Sequence, residues 1–291
     1  MSEDEIARLR LFAAIEGGSE FWSHEIANNG ALKVLAAIEG GFYPNNKPGI
    51  DSIKKRLKEK SSDELFEEIE RSKSVFVFPG QQYWPSQLED LKNPPIGLIM
   101  AGVMDLSDQM SFSIAIVGTR NPTNYGVRVA SDFAAGICDY GWSVISGGAL
   151  GIDSAAHRGA LAAEGLTIGI LAGGINKPYP LANHGLFEEI REKGILISEF
   201  MPEVKPIPHR FLIRNRLIAA LSKGTLVVEA AFRSGSLRTA RDASEIFRPV
   251  MAIPGPISVP TSEGCHRLIS ERCAELVSSV SEIMELVNPL T

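Results

Sequence analysis

The sequence predicts an α/β protein: a doubly wound, mainly parallel sheet preceded by a small helical domain. Two observations indicate this fold class. Short apolar runs alternate with helical segments from about residue 113 onward, as in strands buried on both faces and joined by helices. Before residue 75, apolar residues recur at helical spacing instead. A chain of 291 residues is long enough for both parts.

The N-terminal part, residues 1–74, is predicted to be a separate small helical domain. The segments IARLRLFAAIEGG and ALKVLAAIEGGF each end on a glycine pair, which is typical of a helix stop. DSIKKRLKEKSSDELFEEIERS follows as a charged helical hairpin. No candidate chemistry stands out in this region.

The second domain, residues 75–291, begins with a strand-like VFVFPG and a proline-bearing connector that ends in another apolar run. The strands of the alternating region are predicted at SIAIVG, WSVISG, TIGIL, ILISE, GTLVVEA and PVMAIPG, and one or two helices close the chain. In such sheets ligands bind beyond the carboxyl ends of the strands. The turns that follow the strands are therefore the candidate sites.

Composition excludes several classes of protein. A net charge of −6 and a pI near 5.5 argue against coating nucleic acid through bulk positive charge, although a local basic groove stays possible because screening sets in beyond about 8–10 Å. The three cysteines show no CxxC spacing, and the N-terminus carries no apolar signal segment. We therefore expect a cytoplasmic protein with no membrane association.

The most informative segment runs over residues 211–239. It joins a basic helix bearing Arg214 and Arg216, an apolar strand, and a Ser234-Gly235-Ser236 turn that opens another helix. A helix start leaves about four N–H groups without partners and carries partial positive charge. Small residues let an anion approach those groups, so the pattern predicts a site for a phosphate-bearing polymer.

Three other turns follow strands. Gly118, Thr119 and Arg120 form the first; they could bind phosphate, or form a polar turn capped by Thr123. The second, at Gly147 and Gly148, departs from the GxGxxG spacing of dinucleotide sites, which leaves phosphate binding and simple packing open. The third carries Lys177, a candidate phosphate contact, and Tyr179, which could stack on a base or fill the core.

Catalysis has no strong support in the sequence. The histidines are scattered, and no HExxH, Walker A lysine or Ser-His-Asp order is present. We predict a non-enzyme with no metal and no cofactor.

Taken together and in order, the runs IVGTRNPTNYG, SGGALGIDSAAHRGAL, GGINKPYPLAN, FLIRNRLIAALS, VVEAAFRSGSLRTA and AIPGP resemble the DNA-processing protein A family, also called DprA or Smf. The resemblance implies an extended Rossmann-like domain that binds single-stranded DNA without much sequence preference. It also implies homodimerisation and loading of the RecA recombinase, commonly during natural transformation, and a small helical (SAM-like) N-terminal domain. Leu212 stands where many members have proline. Because the sequence ends at Thr291, we expect a member without the C-terminal winged-helix domain that many others append.

The resemblance also implies site residues. It places the family's DNA and phosphate contacts at the first turn, at the third turn with its asparagine, at the Arg-Asn-Arg motif and at the Ser-Gly-Ser-Leu-x-Thr motif. Phe211, beside Arg210, is a candidate stacking ring for a base, and a core position is an equal alternative. The full predicted set comprises Gly118, Thr119, Arg120, Gly147, Gly148, Lys177, Asn183, Arg210, Phe211, Arg214, Asn215, Arg216, Ser234, Gly235, Ser236 and Thr239.

A second hypothesis is a protein that binds or cleaves a nucleotide. Glu229 before Gly235-Ser236 is loosely similar to the glycine-rich motif of nucleotide phosphoribohydrolases, in which a glutamate takes part in cleavage. The Pro-Gly-Gly portion of that motif is missing.

Overall fold

The computed structural model describes residues 2–288, which form one nine-stranded sheet with helices around it. The strands are β1 (Val75–Val77), β2 (Leu98–Gly102), β3 (Ser113–Val117), β4 (Ser143–Ser146), β5 (Thr167–Leu171), β6 (Ile195–Ser198), β7 (Gly224–Val227), β8 (Val250–Ala252) and β9 (Glu275–Leu276). The helices are α1 (Glu3–Ala14), α2 (Glu20–Asn29), α3 (Ala31–Glu39), α4 (Ile50–Arg56), α5 (Ser62–Arg71), α6 (Asn124–Asp139), α7 (Ile152–Ala162), α8 (His184–Lys193), α9 (Pro208–Leu221), α10 (Ser236–Glu245), α11 (Glu263–Ser270) and α12 (Val280–Val287).

The sheet order is β1-β2-β6-β5-β4-β3-β7-β8-β9. Strands β3 to β9 pair in parallel, while β2 pairs antiparallel with both β1 and β6. The chain leaves β3 toward β4 on one side and later returns to β7 on the other, so the strand order reverses at β3. Ligands in doubly wound sheets bind at the carboxyl ends of the strands beside such a reversal.

The predicted fold class is confirmed, and each of the six predicted strands of the alternating region is present. Residues 114 and 116 of β3 face the helices α6 and α7, whereas residues 115 and 117 face α9 and α10. Burial on both faces explains the continuous apolar runs. Helix α2 and strand β9 were not predicted, because α2 is mostly polar around Trp22 and Ile26 and β9 has only two residues.

Strand β1 begins at the predicted domain boundary, but the helical region does not have a wholly separate core. One cluster lies within the N-terminal helices and includes Leu11 and Trp22. A second cluster packs Phe12 of α1 and Ile69 of α5 against Ile99 of β2. The helical region is therefore seated on the sheet through shared apolar contacts. Among the helices over residues 2–288, none is long and apolar enough to span a bilayer.

Candidate nucleic-acid interface

A cavity of about 250 Å³ lies at the carboxyl edge of the sheet, beside the reversal of strand order. Its walls come from the turn after β3, the turn after β4, the helix α9 and the start of α10. The predicted residues that line it are Gly118, Arg120, Phe211, Arg214, Asn215, Ser234, Gly235, Ser236 and Thr239. Segments far apart in sequence meet here because parallel strands deliver their following turns to one edge.

Arg214 lies in the wall of this cavity, and a hydrogen bond to the main chain of β5 fixes its guanidinium. Its side chain is 5% exposed, and its Nη1 atom donates to the carbonyl oxygen of Ile170 at 2.9 Å. Its Nε atom has no partner within the described residues. A Cβ atom at Gly147 would lie 1.6 Å from Nη1, so this glycine makes room for the guanidinium.

Asp153, at the start of α7, also lines the cavity and was missed by the sequence reasoning. Its Oδ2 atom accepts from the amides of Gly147 at 3.2 Å and Ala149 at 3.3 Å. Burial raises the pKa of the Asp153 carboxyl, opposed by the positive charge of Arg214 and by the two amide bonds. An acidic residue in the first turn of a helix after a glycine turn was the available signal.

These contacts change the expected role of the second turn. Gly147 and Gly148 were predicted to meet phosphate, but the turn's amides already bind Asp153, and Gly148 fits against the ring of Phe187 with φ of +67°. Asn183 is likewise buried, and its Nδ2 atom donates to the carbonyl oxygen of Gly148 at 2.9 Å. Gly147, Gly148 and Asn183 therefore support the residues of the cavity wall, and within the described chain they do not line the cavity themselves.

Arg120 brings a second cation to the cavity. Its side chain is exposed, and no acidic partner lies within ion-pair distance in the part of the chain that the structure describes. Burial lowers the pKa of Arg214 to about 10, with Asp153 opposing this shift and the nearby charge of Arg120 adding to it. Arg214 therefore stays cationic at neutral pH, and the two guanidiniums repel each other across space that an anion can fill.

Phe211 provides an aromatic surface at the same place. It is half-buried and lines the cavity, and the Arg120 guanidinium lies 5.7 Å from its ring centroid. The ring of Tyr179, which is 50% exposed, meets Phe211 edge-on with centroids 5.7 Å apart. Neither ring belongs to a hydrophobic core cluster of the described residues, so stacking on a base stays the prediction for both.

The start of α10 forms the remaining wall. The hydroxyls of Ser234 and Ser236 lie 2.7 Å apart, and the Asn215 amide donates to the carbonyl oxygen of Gly235 at 3.4 Å. A Cβ atom at Gly235 would meet nothing within 4 Å. The space at Gly235 is therefore open toward the cavity, whereas the amides of Ser236, Leu237 and Arg238 already donate to acceptors within this turn.

Three of the predicted cations do not line the cavity, and each has an acidic partner. Lys177 Nζ lies 2.7 Å from Glu203, whose carboxyl pKa this hydrogen bond lowers. Arg210 Nε lies 2.5 Å from Glu16 of the helical region. Arg216 is 7% exposed and pairs with Glu199. Of the predicted arginines, Arg120 and Arg214 line the cavity, whereas Arg216 points into the protein.

The turn after β3 is held by Glu229, the residue of the nucleotide-cleavage hypothesis. Its two carboxylate oxygens accept from the Thr123 amide at 2.9 Å and the Thr123 hydroxyl at 2.5 Å. The Thr123 hydroxyl in turn accepts from the Gly126 amide, capping α6. The Thr119 amide donates to the carbonyl oxygen of Glu229 at 2.7 Å. Glu229 thus fixes the turn that carries Arg120.

Over residues 2–288 no group of three or more His, Cys, Asp or Glu side chains is placed to hold a metal ion.

Comparison with known proteins identifies the family. Residues 75–288 match the family model described as DNA recombination-mediator protein A. The chain belongs to the DNA-processing protein A family. It is 39% identical over 216 residues to the DNA processing protein DprA of Bacillus subtilis, covering 74% of this chain and 72% of that protein.

The family members differ in length. The putative DprA of Mycobacterium tuberculosis is 40% identical over 240 residues, and the match covers 79% of this chain but only 61% of that protein. The Escherichia coli protein Smf, another member, is 43% identical over 218 residues, which is 58% of its length. The chain therefore spans about three fifths of these two relatives.

Solved structures of the family share the fold. The crystal structure of DprA from Streptococcus pneumoniae superposes with a TM-score of 0.81 at 30% identity, covering 98% of this chain and 97% of that one. A Helicobacter pylori member, whose structure concerns its single-stranded DNA binding mode, superposes with a TM-score of 0.65 at 29% identity over 72% of this chain and 94% of that one. The helical region and the sheet together are thus an arrangement that a family member also has.

Proposed function

We propose that this protein binds single-stranded DNA without sequence preference in the cavity at the carboxyl edge of the sheet. The observation that carries the proposal is the meeting of Arg120 and Arg214, neither of which has an ion-pair partner within residues 2–288, with the partly exposed ring of Phe211 and the open space at Gly235. Single-strand binding needs cations that follow the backbone and aromatic faces that accept any base.

We further propose that the protein is a recombination mediator. In this role it protects single-stranded DNA and loads RecA onto it, as in natural transformation, and it acts in the cytoplasm as a homodimer without catalysing a reaction. Family membership supports this assignment, together with the likeness to the H. pylori member whose structure concerns DNA binding.

Fluorescence anisotropy with labelled oligo-dT, in single-stranded and duplex form, tests the binding proposal. We expect tighter binding to the single strand, and weaker binding for Arg120→Ala and Arg214→Ala. Arg128→Ala, an exposed arginine on α6, is the matched control and should bind like the wild type. Unchanged affinity in both cavity variants would contradict the proposal.

The mediator role has its own test. RecA hydrolyses ATP when it assembles on single-stranded DNA, and this assembly is slow on DNA already covered by a single-strand-binding protein. The assay measures the ATPase rate of RecA on such covered DNA. We expect the wild-type chain to raise this rate and Arg214→Ala to raise it less. A wild-type chain that binds DNA but leaves the rate unchanged would limit the function to DNA binding.

Nucleotide cleavage is the alternative, and the position of Glu229 argues against it. Both of its oxygens are engaged by Thr123, so the carboxylate is committed to the turn. Incubation with nucleoside monophosphates and chromatography for released base tests the alternative. Base release that is lost in Glu229→Gln would favour cleavage over the mediator role.

A further inference from the structure

Helix α9 presents arginines on two opposite sides, one facing the cavity and one facing Glu199. Residues two positions apart on an α-helix point in nearly opposite directions, about 200° apart. Arg214 accordingly faces the cavity, while Arg216 faces Glu199 at the end of β6 and the turn between α1 and α2. The two arginines of the Arg-Asn-Arg motif therefore have separate surroundings.

The ion pair of Arg216 is buried and specific. Its Nη2 atom donates to both carboxylate oxygens of Glu199, at 2.6 and 2.8 Å, and the two side chains are 9% and 5% exposed. Glu199 Oε1 also accepts from the amide of Gly18 at 3.3 Å. One carboxylate thus joins α9 to the helical region.

The turn at residues 16–18 packs closely against the Arg216–Glu199 ion pair, and its two glycines make this approach possible. A Cβ atom at Gly17 would lie 2.8 Å from the Glu199 carboxylate, and one at Gly18, where φ is +77°, would lie 2.9 Å from Ile213 of α9. Glu16 accepts from Arg210 Nε at 2.5 Å and Nη2 at 3.1 Å. The turn therefore lies against Arg210, Ile213 and Arg216, which are spaced three residues apart along one side of α9.

We propose that Arg216 is a positioning residue, which anchors α9 through Glu199 to the turn at residues 16–18 and thereby places Arg214 and Phe211 in the cavity. The proposal rests on the proposed DNA-binding function of that cavity. Replacing both partners of a buried ion pair by neutral groups is often nearly neutral for stability, whereas removing one partner leaves the other charge buried and uncompensated. Loss of Arg216 alone should therefore displace α9, while neutralising both partners should largely restore it.

The experiment compares Arg216→Gln, Glu199→Gln and the double variant, with Arg214→Gln as the contact control. Oligo-dT affinity is measured over a range of salt concentrations. Arg216→Gln should weaken binding roughly ten- to hundredfold, as for a misplaced site, with the salt slope unchanged. The double variant should recover most of that loss. Arg214→Gln should reduce the slope by about 0.7, the value for one phosphate on a single strand.

Hydrogen exchange of the α9 amides without DNA gives a second, ligand-independent measurement. Faster exchange in Arg216→Gln, reversed in the double variant, supports the anchor even if the wild type fails to bind DNA, an outcome that would refute only the proposed function. If Arg216→Gln does not fold, the double variant and Gly17→Ala carry the comparison. A salt slope reduced by loss of Arg216 and not restored in the double variant would make Arg216 a phosphate contact. That result, or unchanged affinity and exchange in all folded variants, would overturn the proposal.

Discussion

Replacing Gly235 with alanine should weaken DNA binding while leaving the free energy of unfolding almost unchanged. The residue sits at the N-cap of α10 with φ of −62° and ψ of −25°, values that alanine adopts without strain. An added Cβ atom meets no protein atom within 4 Å. The free protein therefore has no steric reason to require glycine, and we expect its unfolding free energy to change by less than about 1 kcal/mol.

The effect on DNA binding should be much larger. Gly235 lines the cavity, and its own amide has no acceptor within residues 2–288, so a methyl group there would obstruct a phosphate that approaches this amide. A hydrogen bond to a charged group contributes about 1.5–3 kcal/mol, which corresponds to a loss of affinity of roughly 10- to 150-fold. Oligo-dT anisotropy measures this loss, and thermal unfolding of the same samples checks stability.

Gly185→Ala is the matched control. Gly185 lies in the first turn of α8, and a Cβ atom added there also meets nothing within 4 Å, yet the residue does not line the cavity. We expect wild-type affinity for this variant. Equal affinity of Gly235→Ala and the wild type would show that no phosphate approaches this helix start, and equal losses in both variants would remove the argument from the cavity.

Three further predictions follow from the same structure. Phe211→Ala should weaken oligo-dT binding by about 1–3 kcal/mol if a base stacks on the ring, whereas Phe211→Tyr should bind nearly as well; equal losses would contradict stacking. If two phosphates meet Arg120 and Arg214, the slope of log affinity against log salt should be about −1.4 on single strands, and a slope near zero would contradict ionic contacts. Burial lowers the pKa of His157 from 6.5 to about 3, so the unfolded chain binds a proton that the native chain does not. The unfolding free energy should fall by about 1.4 kcal/mol per pH unit below pH 6.5 from this residue. Urea titrations at several pH values should show a shallower fall for His157→Gln, and identical pH profiles would contradict the assignment.

The sequence predicted the parts of the site that depend on local pattern and topology. Continuous apolar runs located the strands, and parallel strands bring their following turns to one edge. These two facts predict that Arg120, Arg214 and the Ser234–Ser236 turn lie together at that edge. The sequence does not decide whether Phe211 lies in the core or at the surface of the site, because its burial depends on which residues the fold places beside the ring.

The sequence did not show which cations are already neutralised. Arg214 and Arg216 look equivalent in the motif, yet Arg216 pairs with Glu199 and Arg210 pairs with Glu16, 194 positions earlier. Such pairings arise between segments that only the fold brings together. The same applies to Asp153, whose carboxylate takes the amides that made the glycine turn resemble a phosphate site. Hydrogen-bond partners of this kind need coordinates.

The placement of charge explains how a chain with a net charge of −6 can present a site for a polyanion. Lys177, Arg210 and Arg216 each have an acidic partner, so they add little field of their own. Arg120 and Arg214 lack one at ion-pair distance in the described chain, and their mutual repulsion helps to lower the pKa of Arg214. A phosphate between them satisfies both guanidiniums and relieves that repulsion, which favours the bound state at this point of the surface. The proposed DNA binding therefore depends on these two local charges and not on the net charge of the chain.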